Sequence, residues 1–196
     1  MAYKLNGTEL TPNGRCYFNG TEVRKIIYNG TKVWERCYAL IPVMTSASAP
    51  SGTVVQSSRY NSNYEGYNAF DGDLSTAWLS QADGTASTVT SEYLGYLFPE
   101  TVYLDHLKYV GYETNPNYGS AYDTTIYVEI FTSSGLQTLE VSWSTADMYN
   151  EITIPCGVSD VQQVRISFSN RMRSGANDGS RHYVCCAELQ AYGYVE

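Results

Sequence analysis

The sequence predicts an all-β protein, a β-sandwich or jelly roll preceded by a small N-terminal β-hairpin meander. Three observations support this fold class. Apolar residues alternate with polar ones along several segments, and turn-forming residues separate those segments. The composition, with 19 Tyr and 16 Gly among 196 residues, is typical of strands joined by polar turns. No segment repeats with a helical period of about 3.6 residues, so we expect helix only as single turns.

The N-terminal segment repeats a short unit. Residues 4–10 (KLNGTEL) are echoed by residues 17–23 (YFNGTEV) and by residues 27–34 (IYNGTKVW). Asn-Gly between apolar residues favours a two-residue hairpin, because a type I′ turn needs positive φ at both central positions. Asn-Gly-Thr is also a glycosylation pattern. We favour the turn, because the start (MAYKLNGTEL) has no apolar signal-peptide core.

We divide the chain into three parts. Residues 1–40 are a hairpin-repeat module for attachment or oligomerisation, residues 41–53 are a connector rich in Pro, Ser and Gly, and residues 54–196 are the jelly-roll domain. The residues expected to share a face along the strands of that domain are Ile126, Val128 and Ile130; Leu139, Val141 and Trp143; Ile152 and Ile154; and Val164, Ile166 and Phe168.

Charge, hydropathy and cysteine usage exclude several classes of partner. The net charge of -8 would repel a phosphate backbone, so we expect no nucleic acid. No apolar run approaches the roughly 20 residues of a membrane helix, and we expect no membrane. None of the five cysteines sits in a CxxC pair, which disfavours zinc and favours reduced, buried thiols. A bridge between Cys16 and Cys37 is left open.

The most specific stretch is an acidic turn within residues 67–78 (YNAFDGDLSTAW). Asp71 and Asp73 flank Gly72, and Thr76 follows three residues later. Hard oxygen ligands on a sharp bend suit calcium, while an Asx-turn without a metal is the alternative. Near the other end, residues 183–193 (YVCCAELQAYG) predict a final strand on which Glu188 faces away from Leu189.

This ordered pair, an "AFDGD..TAW" turn and a terminal "AEL..YG" strand, resembles the discoidin, or coagulation factor C-type (F5/8 type C), domain. It is equally similar to the galactose-binding-like carbohydrate-binding modules, and the resemblance covers residues 42–194. The resemblance implies a galactose-binding-like jelly roll of eight strands with a structural calcium ion. Carried over by position, the calcium ligands would be the side chains of Asp71, Asp73, Thr76 and Glu188 and the backbone carbonyls of Ala69 and Ala187.

Loops at one end of a jelly roll are where such folds present ligands. Three loops qualify, at residues 58–65 (SRYNSNYE), 113–122 (ETNPNYGSAY) and 170–182 (NRMRSGANDGSRH). They combine flat aromatic faces, which suit the apolar side of a pyranose, with side chains that bind hydroxyls. The candidate ligand-binding residues in and beside these loops are Tyr60, Glu113, Asn115, Asn117, Tyr118, Arg181, His182 and Tyr183.

The resemblance supports one of these candidates, and the sequence departs from it at one position. In the related sugar-binding modules an aromatic residue lies five positions before the terminal-strand glutamate, which is Tyr183 here. The family's middle loop begins with an Arg that this sequence lacks, and this puts a galactose preference in doubt. The alternative for Tyr118 and Tyr183 is that each is a half-buried tyrosine that packs against the core and binds no ligand. The third loop is locally basic and suits either an anionic sugar or a solvated surface.

Catalysis finds little support in the sequence. His106 and His182 are the two histidines, and neither has a nucleophile beside it. A glycosidase needs two carboxylates that flank a cleft, whereas Asp71 and Asp73 share one turn. We therefore expect no enzyme activity.

The N-terminal hairpins, followed by residues 41–52 (IPVMTSASAPSG), resemble tail or appendage proteins of bacteriophages from gut Firmicutes. This implies a virion protein made in the bacterial host cytoplasm, or an extracellular protein if it is not from a phage. Its partners would be glycans and, through residues 1–40, other virion proteins or copies of itself.

The leading hypothesis is a virion component for host recognition that binds cell-surface or mucosal glycans. The alternative is a structural virion protein whose jelly roll mediates assembly. Adhesion to membranes or proteins ranks third, because it needs apolar loop tips and these loops carry tyrosines.

Overall fold

A computed structural model describes residues 3–5, 8–10, 16–18, 21–23, 25–29, 31–81, 92–112, 124–143, 150–169, 173–174 and 182–196. These residues form one 3₁₀ turn, Gly66–Phe70, and seventeen strands: β1 (Tyr3–Leu5), β2 (Thr8–Leu10), β3 (Cys16–Phe18), β4 (Thr21–Val23), β5 (Lys25–Tyr28), β6 (Thr31–Glu35), β7 (Tyr38–Ala39), β8 (Thr53–Gln56), β9 (Trp78–Leu79), β10 (Tyr93–Val110), β11 (Thr124–Thr132), β12 (Gly135–Trp143), β13 (Ile152–Phe168), β14 (Arg173–Ser174), β15 (His182–Tyr183), β16 (Cys185–Cys186) and β17 (Glu188–Val195). No helix in this part of the chain is long and apolar enough to cross a membrane.

The first six strands form three antiparallel hairpins, as the repeat predicts. The closing pairs are Leu5 with Thr8, Phe18 with Thr21, and Tyr28 with Thr31, so an Asn-Gly dipeptide lies between the strands of each hairpin. Asn29 has a φ of 48°, in the left-handed region that the first position of a type I′ turn needs. The described strands of each hairpin make a two-stranded sheet of their own.

The main sheet has the strand order β12-β11-β13-β10-β17-β7, and β8 also pairs with β10. All of these pairings are antiparallel. β10 and β13 pair along nearly their whole length, with register shifts between Leu97 and His106. Such bulges bend strands. As a result, β8 pairs with the first part of β10 and β17 pairs with the second part.

The core lies on the face that the alternating pattern marks. Eight of the eleven residues predicted to share strand faces are buried, and Leu139, Val141 and Ile152 are partly buried against the same core. Large aromatic side chains fill much of the interior. Those almost completely buried are Phe70, Trp78, Tyr96, Tyr109, Trp143 and Phe168. The all-β class with single-turn helix is confirmed.

The segment that precedes β8 contributes to this core. Tyr38 and Ala39 pair with β17 at the edge of the main sheet. Ile41 and Met44 are buried, and the Met44 amide donates to the Phe70 carbonyl at 2.9 Å. The end of the hairpin module and the start of the connector are therefore built into the sheet and its core, while the three-part domain division itself stays a prediction.

The cysteines of the described chain are largely buried. Cys37, Cys185 and Cys186 lie in the interior, and burial raises the pKa of the Cys156 thiol to about 12. A thiol with so high a pKa is a poor nucleophile near neutral pH. The side chain of Cys16 lies outside the described residues, so the bridge to Cys37 stays open.

Gly193 provides a test of the close approach between β17 and β10. A Cβ atom at this position would overlap the backbone carbonyl oxygen of Tyr103, which cannot move aside like a flexible side chain. We expect Gly193→Ala to lower the free energy of unfolding by about 1–3 kcal/mol, measured by urea denaturation. Thr138→Ala, at an exposed position of β12, should change it by less than about 0.5 kcal/mol. An unchanged midpoint for Gly193→Ala would contradict this packing.

Candidate functional site

The first candidate loop, residues 58–65 (the Tyr60 loop), is anchored at its start by buried groups. The indole Nε1 of Trp78, a fully buried residue, donates to the Ser58 carbonyl at 2.8 Å. The Ser58 hydroxyl donates to the Glu92 carboxylate at 2.6 Å and accepts from the Gln81 amide at 2.9 Å. Glu92 is buried and also accepts from the Ser57 hydroxyl at 2.5 Å. These bonds hold the backbone that leads into Tyr60.

The far end of the Tyr60 loop is held as well. Arg59 and Glu65 form an ion pair across the loop. The Asn68 side-chain amide donates to the Asn63 carbonyl at 2.9 Å, and the Gly66 amide donates to the side chain of Gln56. A loop fixed at both ends loses little conformational entropy when a ligand binds.

Four tyrosines form a continuous ring cluster beside this loop, the tyrosine cluster of Tyr60, Tyr64, Tyr112 and Tyr183. The Tyr60 ring packs edge-on against the Tyr183 ring, with centroids 5.1 Å apart. It packs at a tilted angle against the Tyr64 ring, with centroids 6.0 Å apart. The ring centroids of Tyr64 and Tyr112 are 6.5 Å apart. Tyr60 is 38% exposed, while Tyr183 and Tyr112 are 4% and 6% exposed. Tyr60 is thus the accessible ring, and the buried tyrosines support it.

The structure brings together only part of the predicted ligand-binding set. Tyr60 and Tyr183 are in contact, with Tyr183 in the supporting position. His182 is described by its backbone alone, in β15. The remaining candidates, which are Glu113, Asn115, Asn117, Tyr118 and Arg181, lie outside the described residues. Their roles stay predictions.

Tyr64 and Tyr112 were absent from the candidate set. The only signal in the sequence is their location, since Tyr64 lies within the first loop and Tyr112 directly precedes the second. That the two rings meet depends on the end of β10 lying beside the Tyr60 loop. Local sequence does not report such a contact.

The acidic turn, residues 71–76, is closed by its own side chains. Asp71 accepts from the Asp73 amide at 2.8 Å with one carboxylate oxygen and from the Thr76 hydroxyl at 2.7 Å with the other. Asp73 accepts from the amide and the hydroxyl of Ser75, at 2.9 and 2.6 Å, and these bonds lower the pKa of its carboxyl. These bonds have the geometry of an Asx-turn, the alternative to the predicted calcium site, and the calcium site itself stays a prediction.

Glu188 reaches the acidic turn from the start of β17. Its carboxylate accepts from the Gly72 amide at 3.2 Å. Burial raises the pKa of this carboxyl to about 7, the Gly72 amide partly offsets that rise, and the negative charge of Asp71 adds to it. The Asp71 carboxylate therefore lies close enough to act on the partly buried Glu188 carboxylate.

These groups fit the chemistry of calcium. The Glu188 carboxylate accepts from the Gly72 amide next to Asp71, and the Asp71 carboxylate accepts from the Thr76 hydroxyl, which also lies 2.9 Å from the Asp73 carbonyl. Ala69 and Ala187 are buried at the end of the 3₁₀ turn and immediately before β17. In the described part of the chain, no group of three or more His, Cys, Asp or Glu side chains could hold a metal. An ion here would need hydroxyl and carbonyl oxygens as well, which calcium accepts and zinc disfavours.

His106 lies apart from the groups that form these two features. Its ring stacks on Tyr192 with centroids 4.7 Å apart, and its Nδ1 lies 2.7 Å from the Asp105 carboxylate. These contacts lie where β10 pairs with β17. His106 is thus a partly buried histidine that packs on the sheet.

Comparison with solved structures agrees with this geometry. The family 32 carbohydrate-binding module of NanJ from Clostridium perfringens, solved with galactose, matches with a TM-score of 0.58 and 13% identity over 80% of this chain and 98% of that one. The F5/8 type C domain of a Bacteroides fragilis protein matches with a TM-score of 0.51 and 16% identity over 78% and 96%. The fold is that of these modules. The galactose-binding-like jelly roll is therefore confirmed.

A third match is chitosan-binding module 1 of a chitosanase/glucanase from Paenibacillus sp. IK-5, with a TM-score of 0.50 and 20% identity over 80% of this chain and 99% of that one. At these identities the likeness concerns the fold. No protein-family profile matches the sequence. No curated protein matches it either.

Proposed function

We propose that this protein is a non-catalytic carbohydrate-binding protein whose ligand contacts the Tyr60 end of the jelly roll. The observation that carries the proposal is the accessible Tyr60 ring, supported edge-on by buried Tyr183 in a loop anchored at both ends. A rigid aromatic face is what the apolar side of a pyranose packs against. Structural neighbours solved with galactose or named for chitosan binding support the ligand class.

Polar groups next to Tyr60 would bind the sugar hydroxyls. Arg59 and Glu65 lie in the same loop as Tyr60 and form an ion pair, so that loop carries both a donor and an acceptor. Candidates from the other two loops, among them Asn115, Asn117 and His182, would complete the site. Tyr183 acts in this scheme as the support of Tyr60.

Substitution of Tyr60 tests the glycan site. A glycan array identifies a ligand, and titration calorimetry with that ligand compares variants. Tyr60→Ala should weaken binding about 10- to 100-fold, or about 1.4–2.7 kcal/mol, while Tyr60→Phe, which keeps the ring face, should bind within about threefold of the wild type.

The control for this test is Leu136→Ala, which removes an exposed apolar side chain at the β11–β12 turn and should leave the affinity unchanged. The glycan proposal fails if no glycan on the array binds. Equal binding by Tyr60→Ala and the wild type would reject the site but not the function.

We also propose a structural calcium ion at the acidic turn. Asp71, Thr76 and Glu188 would hold it, with Asp73 and the carbonyls of Ala69 and Ala187 as the further predicted ligands. When bound, calcium would neutralise the carboxylates of Asp71 and Glu188. Its ligands would join the turn to β17, and through β17 to β10.

Chelation tests the calcium site. Since an ion bound only by the folded state stabilises that state, calcium should raise the melting temperature of the wild type relative to chelator. Asp71→Ala should abolish this difference. Glu140→Gln, which removes an exposed carboxylate on β12, should preserve it. Identical melting curves of the wild type in calcium and in chelator would rule the site out.

We propose further that the protein acts on a virion, where it recognises cell-surface or mucosal glycans, with residues 1–40 binding other virion proteins or copies of the chain. The three N-terminal hairpins support this part. A two-stranded sheet exposes unpaired backbone groups along its edges, and such edges pair with further strands.

The alternative is a structural virion protein whose jelly roll mediates assembly. Size-exclusion chromatography with light scattering on the full chain, together with the glycan array, separates the two roles. Glycan binding, whether the chain is a monomer or an oligomer, is expected for the recognition role. A stable oligomer that binds no glycan would favour the assembly role instead.

A further inference from the structure

Asn68 lies between the Tyr60 loop and the acidic turn and contacts both. It is a buried polar residue of the 3₁₀ turn, only 8% exposed. Its side-chain amide donates to the Asn63 carbonyl of the Tyr60 loop at 2.9 Å and to the Ala77 carbonyl at 3.3 Å. Its own carbonyl accepts from the Thr76 hydroxyl of the acidic turn at 3.3 Å. A shift of the acidic turn can therefore reach the loop through one residue, by its backbone carbonyl on one side and its side-chain amide on the other.

The Thr76 hydroxyl has one hydrogen and three acceptors within reach. These are the Asp71 carboxylate at 2.7 Å, the Asp73 carbonyl at 2.9 Å and the Asn68 carbonyl at 3.3 Å. A carboxylate is the strongest acceptor of the three. A cation held by Asp71 would weaken that acceptor, so the hydroxyl would then favour the two carbonyls, including that of Asn68.

Tyr112 makes a second connection between the same two segments. Its hydroxyl donates to the Ser75 carbonyl of the acidic turn at 3.4 Å, and its ring packs against Tyr64 of the Tyr60 loop. Tyr64 in turn packs against Tyr60. Two separate paths, one polar and one aromatic, thus lead from the turn to the exposed ring.

We propose that Asn68, assisted by Tyr112, is a positioning residue that couples the acidic turn to the Tyr60 loop, so that calcium at the turn orders the surface that binds the ligand. This inference rests on the proposed calcium site and deepens the proposed function by adding a regulator of that surface. Coupling of this kind is reciprocal, so a ligand on the loop would tighten calcium binding by the same factor.

Hydrogen exchange on the full chain tests the coupling with calcium chloride as the only probe. The reporter amides of the loop are those of Tyr60, Asn63 and Tyr64, each of which donates a hydrogen bond. The reporter amides of the turn are those of Gly72 and Thr76. In the wild type, calcium relative to chelator should slow exchange at both sets, at the loop by about tenfold.

Asn68→Ala should separate the two readouts. Alanine removes the connection without adding charge beside the acidic turn. Calcium should still slow exchange in the turn, while its effect on the loop falls below about twofold. Ile166→Val provides the matched control, since it trims a fully buried core side chain on β13 and lowers stability without touching either segment. It should keep the full calcium effect on the loop.

A second variant keeps the inference testable if Asn68→Ala does not fold. Tyr112→Phe retains the ring contact with Tyr64 and removes the hydroxyl, and it should at least halve the calcium effect on the loop. A loop effect unchanged in Asn68→Ala, or in Tyr112→Phe when that variant alone folds, would overturn the inference. So would a wild-type loop or turn that does not respond to calcium. Because no glycan is used, this failure is distinct from failure of the glycan proposal.

Discussion

The antiparallel pairing of β10 with β13 holds the other strands of the sandwich in place. The two strands, 18 and 17 residues long, pair along nearly their whole length and share a bulged middle. The first part of β10 also pairs with β8 and its second part with β17. The position of β10 in the sheet therefore sets the positions of both of these strands. Val110 lies opposite Glu188 in that register, and this brings the Glu188 carboxylate to the Gly72 amide of the acidic turn.

The same end of the sandwich combines buried support with little exposed aromatic surface. Trp78 and Glu92 fix the entry to the Tyr60 loop, Asn68 fixes its exit, and Tyr183 supports the ring of Tyr60. Each support is buried, so the loop it holds is ordered by the core itself. Preorganisation of this kind lowers the entropic cost of ligand binding.

Different parts of the structure were predictable to different degrees. The three hairpins followed from Asn-Gly dipeptides, and the buried faces of β11 and β13 followed from strict alternation, because both signals are local. The roles of the tyrosines did not follow. Tyr109 is buried with its hydroxyl donating to the Cys185 carbonyl at 3.0 Å, whereas Tyr60 is exposed. Tyrosine suits both environments because its ring is apolar and its hydroxyl polar, so its identity alone could not distinguish them.

Local sequence specifies the all-β class, the hairpin repeat and the tight acidic turn around Asp71 and Asp73. These features depend on residues close together in the chain. The contacts between distant segments come from the fold: the Glu188 carboxylate lies 3.2 Å from the Gly72 amide, Tyr183 supports Tyr60, and Asn68 joins the turn to the loop. Those contacts depend on strand register and on buried packing between distant segments, and neither quantity is encoded in a local pattern.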